Sequence, residues 1–358
     1  MNCPKPFTFL LYPFAIKLLV ALAIVIILLR TSFLYLELDT AAHIDRSVPA
    51  HTSIKKATQC LPEPSPRFYE KLESLRSSCQ LGPNHHQNQS RVITATAHFG
   101  KLEAHYQKAL QTHMLHAEVH GTGLEVMCTP VIDDLWNKPA FLLSLLVGEM
   151  LKRPGERAEW IFWVDRDTVI LDQCRPASSF LPRRPSGADS GSAGELADND
   201  LRLLVTNDWN GLNNGVFLLR VGQWAVELFS AIVAFRYYRP DTNLPFTEQS
   251  AMEILMKEPK FKGGVQFVPQ YWFNTYPSGN ASVFLERNDE QGLADYHARR
   301  GDFLLHFAGL PEKDKAINNW VEMLDDMPTV FEAGNVQRNA TPEIETFWRE
   351  RGTDRDVK

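Results

Sequence analysis

The chain has 358 residues, 44% of them hydrophobic and 22% charged, the composition of a globular protein with room for one large or two ordinary domains. Its formal net charge of −6 excludes a global basic field of the kind that binds nucleic acid. The local basic pair Arg183-Arg184 reads as a solvated loop.

Residues 1–36 read as a cytosolic tail and signal anchor. From Phe7 to Leu29 the only charged side chain is Lys17, and Leu18 to Leu29 is unbroken apolar sequence. A spanning helix needs ~20 residues. Residues 7–29 meet that need if Lys17 snorkels to the interface, and residues 18–36 meet it at the cost of Arg30. Lys5 and Lys17 precede the apolar run and Glu37 and Asp39 follow it, which orients the N-terminus to the cytosol and the bulk of the chain to the lumen. A cleaved secretory signal is the competing reading. Its apolar region would be unusually long, with the nearest small-residue site, Thr40-Ala41-Ala42, far downstream.

Residues 37–90 read as a lumenal stem. The run from Leu61 to Pro66 resists helix and strand, and a short helix is expected between Phe68 and Ser77. The sequons at Asn88, Asn280 and Asn339 are usable only in a lumenal chain. Cys60, Cys79, Cys128 and Cys174 would then lie in an oxidising compartment. Four cysteines allow three connectivities, with Cys60–Cys79 a plausible stem loop, against the alternative of four unpaired thiols.

The folded domain is expected over residues 91–345, followed by a polar tail, 346–358. Val92–Ala97 is a strand, Lys101–Val119 a helix, Leu124–Cys128 a strand and Pro139–Lys152 an amphipathic helix. Trp160–Val164 is a short apolar strand of the kind buried on both faces. After a Ser/Gly/Ala/Asp-rich insertion at Arg183–Asp200, strands are expected at Leu201–Thr206, Gly215–Arg220, Val265–Val268 and Phe303–His306. Helices are expected at Gln223–Phe235 and Glu248–Lys257. This alternation is the pattern of an α/β fold with a mostly parallel central sheet, and about 250 residues suffice for a stable core.

Chemistry concentrates at a few places. Asp165-Arg166-Asp167 follows the buried-type strand, where open α/β sheets bind ligands, and two such carboxylates hold a divalent cation against diphosphate oxygens. The bland reading is a solvated turn. His306 ends another apolar strand, and an imidazole beside two carboxylates suits Mn²⁺ better than Ca²⁺. A lone histidine is more often a satisfied core residue. Lys313 and Lys315 follow within reach of a phosphate.

Gly211-Leu-Asn-Asn-Gly215 reads as a tight turn in which Asn213 and Asn214 offer amides to sugar hydroxyls, or as an ordinary turn. Thr247 is read as a helix N-cap, and Glu248 either favours the helix dipole or stabilises positive charge on a sugar ring. His113, His116 and His120 share a helix face, a zinc site or, more simply, packing. Trp272-Phe273, Asn274 and Tyr276 either wall an acceptor groove or belong to the core.

The stretch Glu159–Ile170 around the two aspartates strongly resembles glycosyltransferase family 34, which includes fungal α-galactosyl- and α-mannosyltransferases and plant xylosyltransferases. So do Asn210–Arg220, Glu248-Gln-Ser250, His306-Phe-Ala-Gly309, Trp136-Asn-Lys-Pro139 and Leu110-Gln-Thr-His113, in the right order over about residues 91–325. The resemblance implies a GT-A fold, a single-pass type II Golgi topology and a retaining reaction. By the same resemblance, Asp165, Asp167 and His306 hold Mn²⁺, and Lys138, Lys313 and Gly309 meet the donor. Asn213, Asn214, Glu248 and Gln249 line the transferred sugar and acceptor, with Glu248 and Gln249 in the catalytic role, and Thr94 and Ala95, at the end of the first strand, approach the base.

Two departures stand out: a bulky Arg166 where a small residue is usual, and Thr247-Glu248 where plant members carry a doubled acid. The partners implied are a nucleotide-sugar, a glycan acceptor, the membrane and a homo- or hetero-oligomer in the Golgi. UDP-galactose is the favoured donor, with GDP-mannose second. A glycogenin-type retaining transferase and a non-catalytic subunit of a glycosyltransferase complex are the alternatives.

Overall fold

A computed structural model describes residues 60–79, 91–182, 201–326 and 336–353. The expected anchor, most of the stem with Asn88, and the insertion at 183–200 lie outside the described residues. Among the described residues no helix is long and apolar enough to cross a membrane.

The central sheet has six strands in the order β2-β1-β3-β6-β5-β7. They are β1 (Val92–Ala97), β2 (Gly123–Met127), β3 (Trp160–Val164), β5 (Leu203–Asp208), β6 (Gly211–Arg220) and β7 (Val265–Phe267). Three of its five pairings are parallel, and β6 runs against both neighbours. The antiparallel step has a local cause: β5 and β6 are separated only by Trp209 and Asn210, and so short a link joins strands only as a hairpin. A second, two-stranded antiparallel sheet pairs β4 (Thr168–Ile170) with β8 (Leu304–His306). The chain therefore passes from the large sheet to the small one across Asp165–Asp167.

Both faces of β3 are covered. Ile161 and Trp163 join Phe217 and Leu219 against α3 (Asn137–Leu151), α4 (Gln223–Tyr238) and α5 (Thr247–Met256), through Leu142, Leu228, Phe229 and Met252. Phe162 and Val164 join Val216 and Leu218 on the other face, against Phe180, Trp272 and Phe303. Trp272 and Phe273 thus belong to the core, which explains the apolar run. Remaining helices are α1 (Pro66–Ser78), α2 (Ala104–His120), α6 (Ala281–Glu286), α7 (Lys313–Asp326) and α8 (Thr341–Thr353).

Several expectations are corrected. Cys60 pairs with Cys128 and Cys79 with Cys174, not Cys60 with Cys79. Between Cys60 and Cys79 stands α1, capped by Ser65 and opened by Pro66. Thirteen residues of helix rise about 20 Å, whereas bonded cysteine Cα atoms lie only 5.3 and 5.0 Å apart. With Leu72 and Leu75 packed on Leu115 and Val119 of α2, residues 60–79 belong to the folded unit and not to a free stem. The tail expected from residue 346 is, as far as Thr353, the second half of α8. Phe347 and Trp348 there pack on the core, and Trp348 Nε1 donates to Phe180 O at 3.0 Å. Asn280 and Asn339 are both exposed.

Candidate active site

The two aspartates are held by both sheets. Asp165 N–H donates to Gly215 O of β6 at 2.8 Å, and Phe307 N–H donates to Asp167 O at 2.9 Å. Trp163 Nε1–H fixes one Asp165 carboxylate oxygen at 2.8 Å, and Thr168 Oγ1 donates to Asp165 O at 2.7 Å. Pairing of β4 with β8 sets His306 opposite Thr168, next to Asp167. One ligand atom each from Asp165, Asp167 and His306 lies within 4.8 Å of the others, the one such cluster among the described residues. Opposite ligands ~2.1 Å from an ion stand about 4.2 Å apart, so the three fit one cation with small adjustment.

The tautomer of His306 follows from its neighbour. Asn274 Nδ2 donates to Thr206 Oγ1 at 2.9 Å and Asn213 Oδ1 at 3.0 Å, so Asn274 Oδ1 accepts from His306 Nδ1–H at 2.9 Å. With Nδ1–H committed to Asn274, Nε2 is the ring atom that faces Asp167, 3.5 Å away, and the one placed to ligate a metal. Gly215 is required here, because a Cβ would overlap His306 Cε1 and stand 3.0 Å from Nε2. Two carboxylates and one imidazole are a donor set that suits a divalent transition ion such as Mn²⁺.

Lysines sit on both carboxylates. Lys138, at the start of α3, reaches Asp165 at 2.9 Å, Asn214 Oδ1 at 3.0 Å and Glu248 at 3.4 Å. Burial alone would discharge Lys138, but Asp165 and Glu248 outweigh it and raise its pKa. Lys313 contacts Asp167. Burial favours protonated Asp167, yet His306 and Lys313 hold its carboxyl well below the usual range. For Glu248 burial wins and pushes its pKa up against the opposing charge of Lys138. Its Oε1 lies 3.4 Å from Asn214 Nδ2, while its buried Oε2 has no hydrogen-bond partner.

Glu248 and Gln249 occupy the first turn of α5, and Gln249 Oε1 accepts from Asn214 N–H at 3.2 Å. Thr247 is the first helical residue, not the N-cap. Phe246 takes that position, and its N–H donates to Ser250 Oγ at 3.0 Å. Thr247 has φ 48°, a strained conformation for a β-branched residue that aims the next two side chains into the site.

Other sequence expectations fare differently. Asn213 and Asn214 lie inside β6, with the turn two residues earlier. Asn213 is fully engaged, donating to Asp208 at 3.0 Å and Tyr276 at 2.6 Å. Thr94 and Ala95 are buried in the middle of β1, not at its end; there stand Thr96, whose buried hydroxyl lacks a partner, and His98. His98 is pushed down to about 4 by burial and then by Arg166. The Arg166 guanidinium lies 4.2 Å over the Tyr106 ring. Gly309 adopts φ 68°, with open space where a Cβ would stand.

The three α2 histidines form no zinc site. Their Nε2 atoms bond the carbonyls of Thr168, Arg175 and Gln173 at 3.1, 2.9 and 2.9 Å. An open cavity of about 580 Å³ is lined by residues 101–106, Leu310, Pro311, Lys313 and Asp314, and shares Lys313 with the site. Another, about 320 Å³, lies between α1, α2 and α7 and holds none of the site residues. Sequence reading missed the Lys138–Glu248 pair and the orienting role of Asn274. Asn274 offered no local signal, since its partners lie on three different strands.

Two acidic side chains at the edge of a mixed α/β sheet, met by a histidine from a second strand pair, form a group that could hold a metal ion. Residues 192–315 match the galactosyl transferase GMA12/MNN10 family. The chain is 25% identical to an uncharacterised α-1,2-galactosyltransferase of Schizosaccharomyces pombe, over 57% of this chain and 60% of that one. It is 26% identical to the "Probable alpha-1,6-mannosyltransferase MNN10" of Saccharomyces cerevisiae, over 44% and 43%. With xyloglucan 6-xylosyltransferase 4 of Arabidopsis thaliana it shares 26% identity, over 56% and 40%. The matched region spans about half the length of these relatives.

Proposed function

We propose that this chain is a retaining, metal-dependent hexosyltransferase of GT-A fold. It would take galactose from UDP-galactose, with mannose from GDP-mannose as the second choice, and transfer it to a glycoprotein or cell-wall glycan in the Golgi lumen, anchored through residues 1–36. The observation that carries this reading is the convergence of Asp165, Asp167 and His306 next to the Lys138–Glu248 pair. That the three ligand atoms converge despite the bulk of Arg166 favours an enzyme over a non-catalytic partner.

Asp165, Asp167 and His306 would hold Mn²⁺, which when bound supplies Lewis-acid charge to the donor diphosphate. The residues of the chain divide the remaining work. As the anomeric C–O bond breaks, its electron pair leaves with the diphosphate and positive charge develops on the ring. Lys313, at the edge of the open cavity, stabilises the first charge. Glu248 stabilises the second, and its unpartnered Oε2 accepts a sugar hydroxyl. Burial raises the pKa of Glu248, and the charge of Lys138 opposes that shift and favours the carboxylate. Each factor of ten in rate requires about 1.4 kcal/mol of such differential stabilisation.

The test uses the full-length chain in detergent, with UDP-galactose, GDP-mannose and UDP-xylose in turn and a mannoside acceptor. Nucleotide release dependent on Mn²⁺ and abolished by chelator is expected from one donor. Asp165→Asn with Asp167→Asn should remove transfer while circular dichroism stays native. Near-normal turnover in that folded double variant would refute the metal assignment.

A further inference from the structure

The hairpin turn between β5 and β6 carries an aromatic side chain for which the metal and donor site has no use. Trp209 is 67% exposed, the most exposed tryptophan among the described residues. Its place is not accidental. Asp208 Oδ1 accepts from Asn210 N–H at 2.7 Å, and Gly211, at φ 101°, closes the turn in the left-handed conformation that such short links need. Two rings brace the indole edge-on: Tyr276 at 5.3 Å and 73°, and Tyr296 at 5.6 Å and 60°. An indole held this firmly but left in water is a preformed apolar face.

Topology puts this face beside the site. β5 is antiparallel to β6, and β6 to β3, so β5 runs in the direction of β3. Asp208 and Trp209 therefore emerge at the same sheet edge as Asp165, where open α/β sheets bind ligands. Tyr276 links the two, with its ring 5.8 Å from that of His306 and its hydroxyl donating to Asp208 Oδ2 at 2.8 Å. Trp209 takes no part in the cavity beside Lys313, so it stands apart from the space open to a nucleotide.

We infer that Trp209, with Asp208 beneath it, is the acceptor subsite, on which a sugar ring of the acceptor glycan stacks. This rests on the glycosyltransferase reading above. The chemistry matches a saccharide. One face of a pyranose is lined with C–H groups that cover an indole, and its rim of hydroxyls needs strong acceptors. Asp208 has about four lone-pair sites and three protein donors, from Asn210, Asn213 and Tyr276, which leaves room for a hydroxyl. The exposed neighbours Asn207 and Asn210 make the surroundings polar, unlike the contiguous apolar patches of protein–protein contacts.

The test compares the full-length chain with Trp209→Ala, Trp209→Phe and, as an exposed-aromatic control, Tyr238→Ala, which lies at the end of α4 and is 83% exposed. Binding of α-mannotriose and cellopentaose is measured by saturation-transfer NMR, which needs no turnover. Acceptor KM and the share of donor lost to water are measured separately. Trp209→Ala should abolish saccharide binding, raise acceptor KM at least tenfold and divert donor from transfer to hydrolysis. Trp209→Phe should stay within about threefold, and Tyr238→Ala should change nothing. Unaltered binding and KM in a folded Trp209→Ala variant overturn the assignment, as does failure of the unaltered chain to bind either saccharide. Absence of donor turnover with saccharide binding intact instead refutes the enzymatic reading and leaves the subsite standing.

Discussion

His113 and His116 are buried in α2, the first against Thr168 of β4 and the second against Arg175 beyond it, and burial pushes each imidazole down from 6.5 to about 4. Both are neutral in the native protein and donate from Nε2. Unfolding releases them to take up protons below pH 6.5. Their contribution to stability is therefore complete above pH 6.5 and is lost as pH falls from 6.5 towards 4. At pH 5.5 the unfolded chain carries nearly a full proton on each ring and the native chain almost none. Relative to pH 7.5, each histidine then costs about 1.3 kcal/mol and the pair about 2.5 kcal/mol.

The assay is guanidinium denaturation at both pH values, with disulfides intact and chelator present, for the natural chain and a His113→Gln/His116→Gln variant. Glutamine keeps a hydrogen-bonding side chain and does not titrate. The natural chain should lose about 2.5 kcal/mol more than the variant between the two pH values. Equal losses in both would refute neutral burial of the two α2 imidazoles as the source of acid lability. The site would feel the same protonation, because His113 donates to Thr168 Oγ1 at 2.9 Å and that hydroxyl donates to Asp165 O.

Gly215→Ala should drive a methyl into the His306 ring, cost about 1–3 kcal/mol of stability and reduce the rise in melting temperature produced by Mn²⁺. An unchanged Mn²⁺ response would mean that His306 is not a ligand. Removing the 95-residue Cys79–Cys174 link with Cys79→Ser/Cys174→Ser should cost about 2–4 kcal/mol in denaturant titration. Peptide mapping of the natural chain under non-reducing conditions should recover Cys60 with Cys128 and Cys79 with Cys174.

Much of this molecule is written locally. A five-residue apolar run cut short by Asp-x-Asp specifies a strand buried on both faces with its carboxylates at the sheet edge. Alternation of such runs with helical periods specifies the α/β class. Asp165 and His306 were legible for that reason, since each ends an apolar run, and Asp167 by its place one residue beyond Arg166 in the Asp-x-Asp pattern. What packing alone decided is of another kind. Cys60 could be matched to Cys128 only once α1 was known to hold Cys60 and Cys79 apart. Thr94 and Ala95 fell in mid-strand because β1 runs on to Ala97 through its pairing with β2, two residues beyond its last partner in β3.

Lys138 meets Glu248, and Asn274 fixes the tautomer of His306, across separations of 110 and 32 residues. Which polar side chain faces which is settled when sheets and helices close on one another and every buried donor must find an acceptor. The sequence by itself determined the strand ends and the residue types placed there. The tertiary structure decided their partners, because hydrogen bonds and ion pairs between distant segments depend on register and packing that no local window contains.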